Sequence, residues 1–366
     1  MKKVMFSVFL LFVEVVSIQA KSWKVGPSSV VGMDFASINA AMESESVAAG
    51  DTLYLDQFYN ENADQTVTKA VVIIGTGYDT SLTDEQVVAR LTSKLFLKNN
   101  NATIKSVCLS EVFFSAGDCV LDRCYTSNLF VNSTTAGMNY VRSCYVNGRI
   151  SGYSSTNCSQ MDIQNCIIDN NDSYYYNAAG NCVTPIHNIY YLTKSVIKNN
   201  IIKKIYNTNS ASYRDCYCLS NINNSEISNN LVYGYNSYST SYYSRDINSN
   251  VYDSGSGNTI DHNIFSGTAN LSYFPNNKTG WRDQWNSLFV CKGNFSDYYK
   301  LNTEAGDNPA VGYANDGGDC GVHGGMFGCP SGGRPQYIPY FSKVVVGSRT
   351  ENGKLPVRVS VKIQDE

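Results

Sequence analysis

One short phrase recurs six times and restricts the fold more than any other feature of the chain. It reads LDRCYT (121–126), VRSCYV (141–146), IQNCII (163–168), IKNNII (197–202), ISNNLV (227–232) and IDHNIF (260–265). Aligned on the fourth place, Cys124, Cys144, Cys166, Asn200, Asn230 and Asn263 lie 20, 22, 34, 30 and 33 residues apart. Self-similarity at such a period marks an array of stacked units. The phrases are β-branched and aromatic, flanked by Asn, Ser, Gly and Asp, and lack a sustained 3.6-residue period. Short strands between tight polar turns describe coils of a parallel β-helix, each strand pairing with its equivalents about 4.8 Å above and below. The first residue of each phrase (Leu121, Val141, Ile163, Ile197, Ile227, Ile260) is aliphatic and is expected to build one inward apolar column. The fourth place is expected to turn the chain between two sheets. Asn tolerates the left-handed backbone of such a turn, stacked amides bond along the ladder, and Cys fills the same place as a small apolar group.

Two flanking segments extend this reading. DFASINAAMESESVAAGDTLYLD (34–56) with VVIIGTGYD (71–79) precedes the ladder, and DNPAVGYANDGGDCGVHGG (307–325) follows it. With them the chain resembles the pectate-lyase-like right-handed parallel β-helix proteins of secreted bacterial type, over most of its length. The resemblance implies an all-β, right-handed parallel β-helix whose open end is capped by a short N-terminal helix. That helix would bury Phe35, Ile38 and Met42, with Asp34 as its N-cap. A C-terminal strand-rich cover is read from KLPVRVSVKIQDE (354–366), which alternates Val357, Val359, Val361 and Ile363 with polar residues. The expected division is a signal peptide over 1–20, an N-terminal cap over 21–50, the parallel β-helix over 51–300, and a closing segment and tail over 301–366. The architecture says little of chemistry, because one fold hosts many activities.

The first twenty residues read as an export signal: Lys2 and Lys3, the apolar run VMFSVFLLFV, then SIQA as a cleavage site. The run is too short and too early for a membrane span. The formal net charge is −3; Lys2, Lys3 and Glu14 leave with the signal, so the mature chain carries −4. No basic face points to nucleic acid. The expected location is secreted, periplasmic or on the cell surface, with no transmembrane span. Twelve cysteines would ordinarily suggest disulfides in such a compartment. Cys124, Cys144 and Cys166 nonetheless read as stacked thiols, whereas Cys320 and Cys329 flank a Gly-rich loop at disulfide spacing.

The longer spacings indicate insertions, which in a solenoid enter turns and so lie beside one another. They hold DNNDSYYYNAAGNC (169–182), YNTNSASYRDCYC (206–218) and YGYNSYSTSYYSRD (233–246), with SYFPNNKTGWRDQW (272–285) after the last phrase. Aromatic rings with polar tips suit the C–H faces of sugars. Tyr174, Tyr175, Tyr176, Tyr242, Tyr243, Trp281 and Trp285 are therefore the candidate contacts to a polysaccharide or glycan. The candidate catalytic residues are Asp169, Asp172, Arg214, Asp215, Arg245 and Asp246. β-Elimination on a uronate polymer needs an Arg or Lys base and often Ca²⁺, for which Asp169 and Asp172 offer oxygen ligands; hydrolysis needs two carboxylates. The same Asp pair also reads as a solvated turn, and the Arg-Asp pairs as salt bridges that fix loop shape. No protein metal site is expected. His323 in GVHGG and His262 in the last phrase read as structural, and His187 has no partner in view. The functional expectation is an exported β-helix protein that engages polysaccharide through the aromatic loops of its middle coils; the sequence leaves open whether it does so as a polysaccharide lyase or hydrolase, and the alternative is a non-catalytic surface or adhesive protein.

Overall fold

The computed structural model describes residues 20–78, 88–131, 137–152, 159–170, 175–176, 182–184, 187–206, 217–236, 246–253, 256–267, 271–290, 299–304, 306–327, 340–346 and 357–362. The apolar start of the signal segment therefore lies outside the described residues. So do Asp172, Tyr174, Arg214, Asp215, Tyr242, Tyr243, Arg245 and Cys329.

The described chain is nearly all β, and two large parallel sheets run its length. The ten-stranded sheet begins at Ser22–Val25, continues through Thr52–Leu55, and ends at Thr259–Asp261. The phrases stack in register as expected. Ile73 pairs with Ile104, Ile104 with Leu121, then follow Val141, Ile163, Ile197, Ile227 and Ile260. Each of these is at most 2% exposed. An unbroken apolar column thus fills the interior, each side chain packed on its equivalents.

The turn after each phrase departs from expectation in one respect. The left-handed residue is the third place, not the fourth: Arg123, Ser143, Asn165, Asn199, Asn229 and His262 have φ between 49° and 58°. The fourth place is instead a buried ladder rung. The backbone N–H of Asn200 donates to Asn230 Oδ1 (2.9 Å), and that of Asn230 to Asn263 Oδ1 (2.9 Å). Each side-chain amide donates to the carbonyl of the preceding coil's aliphatic residue, Asn230 Nδ2 to Ile197 O at 2.8 Å. A seventh rung, Asn277, continues the ladder by accepting from Asn263 N–H (2.9 Å). The thiols of Cys144 and Cys166 fill the same position in earlier coils, accepting weakly from the backbone N–H of Cys124 and Cys144. All three are free thiols, as is buried Cys320.

The second sheet has twelve strands and forks. In the early coils one long strand serves the whole width: Cys108–Phe114 and Tyr125–Val131 pair in continuous register, while the pairing of Tyr125–Val131 with Tyr145–Ser151 and that of Cys108–Phe114 with Arg90–Leu97 each shift by one residue midway. Past Tyr145–Ser151 the two halves separate. Its beginning pairs with Ile167–Asn170 and its end with Ile189–Thr193.

Both ends of the expected plan gain detail. The capping helix is Ile38–Glu43, with Ile38, Ala41 and Met42 buried. Its N-cap is Ser37, whose hydroxyl accepts from Ala40 N–H; Asp34 instead accepts from Lys24 N–H (2.7 Å). Ser sits one residue before the first helical position and Asp34 sits four before it, beyond reach of the free amides. At the far end, Tyr340–Val346 and Val357–Lys362 form an antiparallel hairpin pairing with each other. The cover on the last coils comes from the strand-poor stretch between Trp281 and Val322. It packs Trp285, Leu288, Phe289, Tyr299, Leu301, Ala310 and Val322 over the outward Ile167, Ile201, Leu231 and Ile264.

Candidate functional site

The strands that precede the three insertions lie side by side in register. Asp169 pairs with Lys203 and Lys203 with Tyr233; Asn170 pairs with Lys204 and Lys204 with Gly234. The re-entry points are stacked too, Ile189 on Leu219 and Leu219 on Ile247. All three long segments therefore leave and rejoin the coil at a single corner, as their spacing predicts.

The alternation of a strand splits the residues at this corner between outside and inside. Outside, Lys203 Nζ lies 3.2 Å from Asp169 Oδ2, which also accepts from the Tyr299 hydroxyl at 3.0 Å. Asp169 is 5% exposed, and its Oδ1 is buried without a hydrogen-bond partner. Inside lie Asn170, His187, Asn188, Lys204, Cys218 and Asp246, all buried. Asn188 stitches the fork by donating to the carbonyls of Ile168 and Lys203. His187 Nδ1 accepts from Tyr217 N–H (3.0 Å), which fixes the ring's tautomer. Burial, and then the Lys204 charge, hold its pKa down at about 4. Burial pushes the Cys218 thiol well up, with Asp246 adding to it, so it is no nucleophile.

Against this geometry the candidate residues divide. Asp246 is a structural carboxylate: Oδ1 accepts from Gly234 N–H and the Ser266 hydroxyl, Oδ2 from Gly267 N–H at 2.6 Å. Asp169 is held by an ammonium and a phenol, surroundings that disfavour a cation ligand. No group of three His, Cys, Asp or Glu among the described residues could hold a metal ion. Trp285 is 4% exposed and stacks on Tyr233 with centroids 4.8 Å apart, so it packs the cover and does not face a ligand. Trp281 is half-buried against the same cluster. Tyr175 and Tyr176 form a two-residue strand paired with Cys182–Thr184.

Comparison with protein-family models, curated proteins and solved structures finds no match for the chain.

The histidine expectations also gain content. His262, at φ 52°, has Nδ1 2.7 Å from Asp261 Oδ2 and its ring 5.3 Å from that of Tyr313. The glycines of GVHGG have a packing reason. Gly321 at φ 82° donates its N–H to Asn229 O, and a Cβ there would lie 2.9 Å from Leu231 Cδ1. His323 itself is exposed.

Sequence reasoning missed the buried Lys204 and the role of the third-place amides. Asn165 Nδ2 donates to Val322 O, Asn199 Nδ2 to Asp319 O, and Asn229 exchanges two bonds with Asn315. The signal was present. Asn holds the third place only in the coils that carry the cover; Arg123 and Ser143 hold it in earlier ones.

Proposed function

We propose that the protein is an exported, right-handed parallel β-helix of the pectate-lyase-like kind that holds a polysaccharide against the loop-bearing corner of its middle coils. The right hand follows from the rule for parallel crossover connections. One observation carries the functional reading: Asp169, Lys203 and Tyr233 are register neighbours, so the strands that lead into three Tyr-rich segments far apart in sequence lie side by side. Beneath them lies a buried polar knot that fixes the strand ends. Rigid stems under tyrosine-rich, weakly charged loops suit a hydroxyl-rich polymer, whose rings stack on phenols and whose hydroxyls bond to Asn and Asp.

Binding without turnover is the better-supported form. Hydrolysis needs two carboxylates facing one bond, and the described acids of this corner are engaged in structural bonds. A lyase or hydrolase is the second reading, favoured by the buried, unpartnered Oδ1 of Asp169. The test incubates the full chain with polygalacturonate, alginate and neutral glucans and galactans, with and without Ca²⁺. It follows retention on the polymer, reducing ends and unsaturated products. The expected result is retention without new ends, weakened at least ten-fold when Tyr174, Tyr175 and Tyr176 are all changed to Ala. Turnover abolished by Asp169→Ala would establish the enzyme instead, and retention by no polymer would overturn the polysaccharide reading.

A further inference from the structure

Among the described residues Lys204 is the one lysine or arginine shut inside the coil, at 0% exposure. Its strand alternates: Ile202 belongs to the inner apolar core and Ile201 to the cluster under the cover, so Lys204 points inward. Register sets its neighbours. In the preceding coil stands Asn170, 1% exposed, and in the following coil Gly234, which has no side chain. The Asp246 carboxylate is held at that glycine, accepting from its N–H, from the Ser266 hydroxyl and from Gly267 N–H, at 0% exposure. An amide, an amine and a carboxylate thus follow one another across three adjacent coils.

These are the parts of an acyl transfer: a nucleophile, an acceptor and a proton carrier. Paired strands set Asn170 and Lys204 about 4.8 Å apart at their backbones, a gap that the flexible four-carbon stem of lysine bridges. A cation in an apolar interior is costly, and removal from water favours the neutral amine, which is the nucleophilic form. The head of Lys204 lies close enough to His187 and Cys218 to act on the titration of both, at the same inner corner. A bond along this row would tie Ile167–Asn170 to Ile201–Tyr206 just where the sheet forks.

We propose that Lys204 and Asn170 form an intramolecular isopeptide bond, with Asp246 carrying the proton. The neutral Lys204 Nζ attacks Asn170 Cγ. The Nζ–Cγ bond forms and the Cγ–Nδ2 bond breaks. Asp246 takes a proton from Nζ and delivers it to Nδ2, which leaves as ammonia. One amine and one primary amide become one secondary amide and ammonia, so the step needs neither oxidant nor reductant. The product replaces a buried charge with a neutral amide and staples two adjacent coils beneath the strands that lead into the long segments. His187 stays depressed once the Lys204 charge is gone, because burial is the larger cause. The bond does not rest on the polysaccharide reading of the corner.

The test takes the intact mass of the full chain, reduced and unfolded, and then the fragment masses of its tryptic digest. The mass is expected to lie one ammonia below that of the sequence. The digest should hold a branched peptide joining the segment of Asn170 to that of Lys204, and trypsin should fail to cut after Lys204. Lys204→Arg and Asn170→Ala should each restore the full mass and yield linear peptides only. Asp246→Asn keeps the size of the side chain and should also leave the bond unmade. Where a variant is not recovered folded, the mass and the branched peptide of the parent decide alone. A parent of full mass, with Asn170 and Lys204 recovered in separate linear peptides, would overturn the proposal. So would an ammonia loss confined to a linear Asn170 peptide, as a cyclic imide gives. An undiminished branched peptide in Asp246→Asn would overturn the role given to that carboxylate.

Discussion

Each fourth-place amide bonds in both directions along the stack, and that makes it hard to replace. Asn230 accepts from the N–H and Nδ2 of Asn200 and donates to Ile197 O and Asn263 Oδ1, at 0% exposure. Asn230→Ala strands a buried backbone N–H and a carbonyl, each costing about 1–3 kcal/mol. A loss of about 2–4 kcal/mol is expected from denaturant unfolding. Asn230→Cys should cost less, since a thiol serves that place in earlier coils; equal loss in both variants would contradict the ladder account. His187 gives the fold a pH dependence. Its folded pKa of about 4 lies below the unfolded value of about 6.5. As pH falls below 6.5 the unfolded chain binds a proton that the folded chain refuses, so stability drops until about pH 4 and then levels. The loss amounts to about 3 kcal/mol at most, at 1.36 kcal/mol per pKa unit. Stability measured from pH 7.5 to 4 should fall less steeply in His187→Gln than in the parent, and parallel curves would refute this. The phrase revealed the stacking of Asn230 before any coordinates. It did not reveal His187, whose partners Tyr217 and Lys204 come from other coils.

At the scale of elements, the cover and the fork shape the surface. The described residues between Trp281 and Val322 insert side chains over Ile167, Ile201, Leu231 and Ile264, and that packing holds the cover in place. Trp285 is the largest of these, wedged between Tyr233 and Phe289. Trp285→Ala should cost about 3–5 kcal/mol, and limited proteolysis should cut first within 281–327 while the coils stay intact. Unchanged protection there would show that the third-place Asn bonds alone hold the segment. This is where the sequence misled: GWRDQW has the polar flanks of an exposed loop. The residues that bury its second Trp lie on strands tens of positions earlier.

A stack of parallel strands ends in unpaired edges, which other chains can join. The N-terminal edge is closed by the helix Ile38–Glu43, whose Ile38 and Met42 belong to the main apolar core. Ile38→Asp should lift that helix and expose the first coil. Light scattering should then show concentration-dependent association absent from the parent, whereas a monomeric, fully folded variant would mean the edge is protected otherwise.

The amino-acid sequence by itself determined the stacking. A phrase repeated in register must place like on like, because strand pairing makes each residue the neighbour of its own equivalent. The aliphatic column, the amide ladder and the common corner of the insertions all follow from that. Tertiary structure alone decided which outward face is covered and which is left open. Ile167 and Tyr125 occupy the same column, and only the path of a distant segment buries the one and leaves the other lining a cleft.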